Sequence, residues 1–197
     1  FMGARQTYGE LFREAGKFAS LLKRMGVRPG ERVALLFPNV PREVSCYYGA
    51  MMAGAVVVQV SPLGTSDEMS RVLRETGARV LVALDVLLAR FIAGLKDTMV
   101  QHVLVSRIVD ALPFPARLAF RTMVLLGKAA LPPRGVGEDL ASLVDPLEPL
   151  SEFERNDPED IALLQMSGGT SGVFKAAMLT HGNLVANVEQ CRAWLGG

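Results

Sequence analysis

Apolar positions along this chain repeat in two rhythms, and glycine or proline marks most of the changes between them. Leu11, Ala15, Phe18, Leu22 and Met25 recur at helical spacing. They follow Thr7-Tyr8-Gly9-Glu10, a capping box with Thr7 as N-cap and Glu10 reaching back to it. Gly26 and Pro29-Gly30 stop that helix. Arg32-Val33-Ala34-Leu35-Leu36-Phe37 is a short apolar run closed by Pro38-Asn39, which predicts a buried strand. A second helix is predicted over about 41–53, with Gly54 at its C′ position, and a strand over 55–60. Ser61-Pro62-Leu63-Gly64 turns the chain, and Thr65 or Ser66 caps a helix that stops near Gly77. Strand 79–83, helix 85–95 and strand 102–105 complete the alternation.

These strands are continuously apolar rather than alternating in polarity. That pattern predicts an α/β fold: a mainly parallel sheet flanked by helices. Ligands of such sheets bind at the carboxyl ends of the strands. The rhythm breaks over 107–158, where prolines cluster at Pro113 and Pro115, Pro132-Pro133, and Pro146 and Pro149. The chain therefore divides into an α/β part at 1–106, a proline-rich, partly amphipathic connection at 107–158, and a strand–loop–strand with a following helix at 159–197. All three read as parts of one larger domain.

Within the connection, Phe114, Leu118, Phe120, Met123, Val124, Leu125 and Leu126 accompany Arg117, Arg121 and Lys128, and 111–137 contains no acidic residue. Such a segment either packs on the rest of a larger domain or lies in a membrane interface, which would make 111–134 a peripheral membrane contact. Residues 138–158 are acidic and punctuated by proline, and read as a surface connection into the strand that starts at Ile161.

The chain has 197 residues, half of them hydrophobic and 21% charged, which suits a substantial core rather than disorder. The formal net charge of +1 provides no global field for nucleic acid. The two cysteines, Cys46 and Cys191, lie far apart within apolar-periodic segments and are expected as buried free thiols. The first residues lack an apolar signal-peptide core, and no uninterrupted apolar run is long enough to span a bilayer, so a cytoplasmic protein is the default expectation. Both ends read as cut, since the first helix signal starts almost at once and a helical pattern ends at Trp194-Leu195-Gly196-Gly197.

The chemistry concentrates in Met166-Ser167-Gly168-Gly169-Thr170-Ser171-Gly172-Val173-Phe174-Lys175, between the apolar runs 161–164 and 176–179. Glycines let successive backbone N–H groups converge, hydroxyls add donors, and a lysine supplies a compact positive charge, so the loop suits a polyphosphate. It is not the G-x-x-x-x-G-K-[ST] loop of NTPases. Val173 and Phe174 separate Gly172 from Lys175, and Ala176 stands where a magnesium-binding hydroxyl is needed. The dinucleotide fingerprint G-x-G-x-x-G is also absent.

With its flanks, Leu163-Leu164-Gln165, Gly168-Gly169-Thr170, Gly172, Lys175, Met178-Leu179-Thr180-His181 and Asn183-Leu184, the loop resembles the ATP-binding motif of the adenylate-forming (AMP-binding) superfamily. The nearest resemblance is to the bacterial long-chain fatty acid–CoA ligases (acyl-CoA synthetases). Thr7-Tyr8-Gly9-Glu10-Leu11, Gly30-Glu31-Arg32-Val33-Ala34, Pro38-Asn39, Ala53-Gly54-Ala55-Val56 and Leu112-Pro113-Phe114-Pro115 extend it over essentially the whole chain. It corresponds to the N-terminal part of that family's large domain. Met166 replaces a usual aromatic, Ser167 and Ser171 replace threonines, Phe174 replaces proline, and Ala176 replaces glycine. The serines retain a hydroxyl; Phe174 gives up a fixed φ and Ala176 gives up the positive-φ region.

The resemblance implies a ligase that uses ATP, Mg²⁺ and coenzyme A to activate a fatty acid through an acyl-adenylate. It places Ser167, Gly168, Gly169, Thr170, Ser171 and Gly172 around the β- and γ-phosphates, with Lys175 acting on the leaving pyrophosphate. It also places the magnesium-binding glutamate, the ribose-binding aspartate and a catalytic lysine in later segments, so the 197-residue chain alone is expected to be inactive. A ligase for an aryl or amino acid, or a non-catalytic nucleotide-binding or membrane-associated remnant, remains open on the same residues, and a homodimer is compatible with them. His181 reads as a helix start capped by Thr180 or Asn183. His102 reads as structural, Tyr47, Tyr48, Met51 and Met52 as core or interface, and Trp194 as packed.

Overall fold

A computed structural model of the chain describes residues 5–167 and 175–196. Tyr8–Arg24 (α1) leads into Arg32–Leu36 (β1), Pro41–Met52 (α2), Val56–Gln59 (β2), Ser66–Thr76 (α3), Val80–Leu84 (β3), Asp85–Phe91 (α4) and His102–Ser106 (β4). Ile108–Ala111 (α5), Phe114–Leu125 (α6), Glu138–Asp139 (β5) and Leu140–Val144 (α7) follow. Ile161–Ser167 (β6), Lys175–Thr180 (β7) and His181–Trp194 (α8) end the described chain.

The strands form one sheet in the order β5-β4-β3-β1-β2-β6-β7, parallel throughout except for the antiparallel pair β6–β7. The continuous apolar runs are explained by burial on both faces. Val33 and Leu35 of β1 join Phe18 and Leu22 of α1, Cys46 and Ala50 of α2, and Leu140 and Val144 of α7 in one core. Ala34 and Leu36, the alternate positions, join Met69, Val72 and Leu73 of α3 and Leu88 and Phe91 of α4 in the other. Each fully buried Leu or Phe contributes roughly 1.5–3 kcal/mol.

Local signals hold where the capping chemistry is local. Thr7 and Glu10 form the expected box on α1, and Thr65 forms one with Glu68 on α3. Gly77 ends α3 in the left-handed conformation at φ 62°. Three expectations change. The helix over 85–95 is broken: Phe91 leaves helical geometry, and Ile92–Leu95 is a 3₁₀ turn. There Gly94 comes so close to α3 that a Cβ on it would lie 2.5 Å from the Ser66 carbonyl oxygen. Residues 138–158 are more than a surface connection. They supply β5 and α7, bury Leu140, Val144 and Leu147, and tie back to the first helices. The ties are Leu150 N–H to the Gly16 carbonyl (3.0 Å), Glu154 N–H to Met52 (2.9 Å) and Lys23 Nζ to Glu154 (2.7 Å). Cys191, finally, is exposed; only Cys46 is a buried thiol.

α1 and α2 cross closely because Gly49 has no side chain. A Cβ there would strike the Ala15 carbonyl oxygen and lie 3.0 Å from the Phe18 ring. Gly49→Ala is therefore expected to lower stability by about 1–3 kcal/mol in urea denaturation. Gly9→Ala, which meets nothing within 4 Å on the same bundle, is expected to be neutral or slightly stabilising. Equal effects at the two positions would contradict the close-packing account.

Candidate functional site

β6 lies parallel to β2, with Val57 opposite Leu163, Val58 opposite Leu164 and Gln59 opposite Gln165. The chain therefore leaves β6 at the carboxyl edge of the sheet, where a doubly wound fold binds its ligands. It returns as β7, and the register places Ser167 directly opposite Lys175. In an antiparallel pair, opposed Cα atoms are about 4.5–5.5 Å apart. Ser167 and Lys175 thus bracket the hydroxyl- and glycine-rich segment. Gly168, Gly169, Thr170, Ser171, Gly172, Val173 and Phe174 lie outside the described residues.

The far end of this hairpin is clamped. Gly182 N–H donates to the Pro158 carbonyl (2.8 Å) and His181 N–H to the Asp160 carbonyl (3.0 Å), so the start of α8 is held against the turn that precedes β6. Thr180, one of the two caps expected, is the N-cap of α8, and Asn183 reaches back to it to complete a capping box. His181 is the first helical residue and half-buried. Burial pulls its imidazole below the ordinary value of 6.5, and the Asp160 carboxylate opposes that shift. Ala176, Ala177 and Met178 are exposed, as are Val185, Val188 and Trp194 on α8. Trp194, expected to pack, is 92% exposed.

A second feature shares the carboxyl edge. The sheet changes direction at β1: β2 lies on one side of it and β3 on the other. Around the loops that follow β1, β3 and β4 an open cleft of about 850 Å³ is lined by Val40, Leu84, Ser106 and Leu112, with Arg42, Arg107 and Arg117 among its polar residues. β3 stands three strand spacings from β6, roughly 14 Å.

Three guanidinium groups of the cleft are already engaged. Arg42 faces Glu14 at 3.7 Å, and Arg107 meets Asp139 at 3.1 Å and Asp110 at 3.4 Å. Arg117 donates to the Leu112 carbonyl at 2.6 Å. Between β3 and β4, Asp85 is buried and accepts from Val86 N–H (2.8 Å) and Ile108 N–H (3.1 Å), which ties the turn after β3 to that after β4. Burial raises its pKa despite these two bonds. The Cys46 thiol is fully buried and pushed up to about 12, so it stays protonated and inert.

Sequence reasoning missed this cleft. Its arginines come from separate turns, and the available signal was positional: Arg107 directly follows β4, and Arg42 sits in the first turn after β1. His102, read as structural, opens β4 with Nδ1 3.9 Å from the Glu138 carboxylate of β5, at the far side of the sheet from β6. Tyr47 is half-buried against the core and Tyr48 is exposed.

Comparison with known proteins gives a consistent result. The AMP-binding enzyme family matches residues 1–196. The long-chain-fatty-acid–CoA ligase of Bacillus subtilis (strain 168) is 34% identical over 202 residues, covering 99% of this chain and 35% of that protein. The ligase of the same name from Salmonella typhimurium is 33% identical over 200 residues, covering 99% of this chain and 36% of that one. The chain thus spans about a third of the length of the curated relatives it matches. Among solved structures, a long-chain-fatty-acid-CoA ligase from Archaeoglobus fulgidus superposes with a TM-score of 0.71 at 27% identity, over 94% of this chain and 32% of that one. A benzoate CoA ligase from Burkholderia xenovorans LB400 shares the fold, with a TM-score of 0.72 at 24% identity over 93% of this chain and 31% of that one.

The clamp at the base of the hairpin has a measurable electrostatic consequence. The unfolded chain protonates His181 near 6.5, whereas the folded chain resists that proton, so stability is lost as pH falls below this value. An NMR titration of the His181 ring is expected to give a midpoint below 6.5. Asp160→Asn should move it further down by removing the charge that opposes the shift. An upward move would contradict the assigned causes.

Proposed function

The chain belongs to the AMP-binding enzyme family, and on that premise we propose that its protein activates a long-chain fatty acid with ATP and passes the acyl group to coenzyme A. The observation that carries this reading is the hydroxyl- and glycine-rich segment between β6 and β7, set at the carboxyl edge of a parallel sheet. Relatives with the fatty acid–CoA ligase name support the substrate class.

In the first step a carboxylate oxygen of the fatty acid bonds to the α-phosphorus of ATP, and the bond to pyrophosphate breaks. In the second, the coenzyme A thiol loses its proton, its sulfur bonds to the acyl carbon, and AMP leaves. The obstacle in the first step is charge, because an anion approaches a polyanion. The hydroxyls of Ser167, Thr170 and Ser171 and the backbone N–H groups of Gly168, Gly169 and Gly172 are the donors for the β- and γ-phosphates. Lys175 supplies positive charge toward the departing pyrophosphate. Bound magnesium would neutralise phosphate charge. Among the described residues no three His, Cys, Asp or Glu side chains gather as a cation site, so no residue is assigned to it.

The reading is tested by fatty acid-dependent ATP–pyrophosphate exchange in the full-length protein. Palmitate is expected to support exchange and benzoate to do so poorly. Lys175→Met is expected to lower the adenylation rate by about 100-fold or more, the scale for removing a group that stabilises transition-state charge. Exchange with benzoate but not palmitate would replace the substrate class. Absence of exchange that Phe174→Pro with Ala176→Gly restores would show a loop spoiled at those positions.

A further inference from the structure

The order of strands reverses at β1, with β2 on one side of it and β3 on the other. In doubly wound folds the crevice at such a point, outside the carboxyl ends of the strands, holds small ligands. Here it is the open cleft of about 850 Å³ after β1, β3 and β4, a size suited to a small organic molecule. None of the described residues of β6 or β7 lines it.

Two side chains of the cleft keep hydrogen-bonding capacity that the fold leaves unused. Ser106, at the end of β4, is only 7% exposed, and its hydroxyl has no hydrogen-bond partner among the described residues. The other buried polar side chains are paired: Ser45 with the Arg42 carbonyl, Ser70 with Arg74, and Asp85 with two backbone N–H groups. Among the described residues no side-chain polar atom is both sealed from solvent and unpaired. The Ser106 hydroxyl therefore opens onto the cleft that it lines. Arg42 is the second case. Its side chain is 23% exposed, its contact with Glu14 at 3.7 Å is longer than a hydrogen bond, and its guanidinium donates to no described residue. Arg42 also stands in the first turn of α2, which has no side-chain cap. Pro41 lacks an N–H, and the Arg42 N–H donates to nothing among the described residues, so the positive end of the helix is left open.

We propose that this cleft binds an organic carboxylate with a short apolar body. β1 and β4 stand two strand spacings apart, roughly 10 Å. A carboxylate between them is within reach of the Ser106 hydroxyl on one side and the long Arg42 side chain on the other. The guanidinium fork matches a carboxylate, and the start of α2 favours negative charge. Glu14 and Asp110 line the same cleft, so a polyanion is repelled where a single charge is accepted. Val40, Leu84 and Leu112 supply an apolar wall for the rest of the ligand. The proposal goes beyond the ligase reading and does not rest on it, since it is tested without catalysis.

The test is methyl NMR of the full-length protein, labelled at leucine and valine and titrated with octanoate, octan-1-ol or inorganic phosphate. Octanoate is expected to shift the Val40, Leu84 and Leu112 methyl signals with a dissociation constant of about 1 mM, the scale for so few non-hydrogen atoms. Octan-1-ol, with the same chain and no charge, is expected to bind at least about tenfold more weakly. Ser106→Ala is expected to weaken octanoate binding by about fivefold and Arg42→Gln by about tenfold or more. Methyl signals remote from the cleft check the fold of each variant in the same sample. Cleft methyls that stay still in octanoate, or shifts confined to Leu163, Leu164 and Leu179 of β6 and β7, would overturn the proposal. So would octan-1-ol that binds as tightly as octanoate, phosphate that binds more tightly, or folded variants that bind like the unmodified protein.

Discussion

A parallel sheet buried on both faces is the constraint on which the rest of this structure depends. Each central strand must be apolar on both faces along its buried length, and each connection must be long enough to carry a covering helix. β1 makes this visible at single-residue resolution: Val33 and Leu35 face α1 and α2, while Ala34 and Leu36 face α3 and α4. α7 is drawn onto the first face by the same requirement, which is why a stretch that is acidic and rich in proline still buries Leu140, Val144 and Leu147.

That constraint also decides where chemistry can stand. With β4, β3, β1, β2 and β6 all running the same way, their carboxyl ends share one edge. The point where the chain leaves β6 and the arginine-lined cleft after β1, β3 and β4 therefore lie along that edge. The cleft depends on side chains pinned by neighbours, such as Arg107 between Asp110 and Asp139. Asp85 joins the two turns at the cleft by accepting from both, so its carboxylate is structural there.

What could be read from the sequence divides along the range of the interactions. The α/β class, the strand positions of β1 to β4 within a residue or two, the box at Thr7 and the start of α8 rest on contacts within a few residues, and they were legible. The motif that assigns the chain to its family was legible because its residues are consecutive. Features that need a distant partner were not. The break after Phe91 depends on the approach of Gly94 to Ser66. The exposure of Cys191 depends on α8 meeting the first core only near its start, through Leu184. The cleft escaped notice because Arg42, Arg107 and Arg117 acquire a common purpose only when three separate turns meet.

The pairing of β6 with β2 has a bearing on how the chain is assembled. β1 to β4 pair with strands separated by one or two short connections, so that part of the sheet can close as soon as it emerges from the ribosome. β6 joins β2 across about a hundred intervening residues, and its closure must wait for α5, α6, β5 and α7 to be made and placed. Until then the open side of β2 presents unpaired backbone groups beside a finished core. The strand that leads into the hydroxyl- and glycine-rich segment is thus secured later than β1 to β4, and during synthesis the edge of β2 stays open until it arrives.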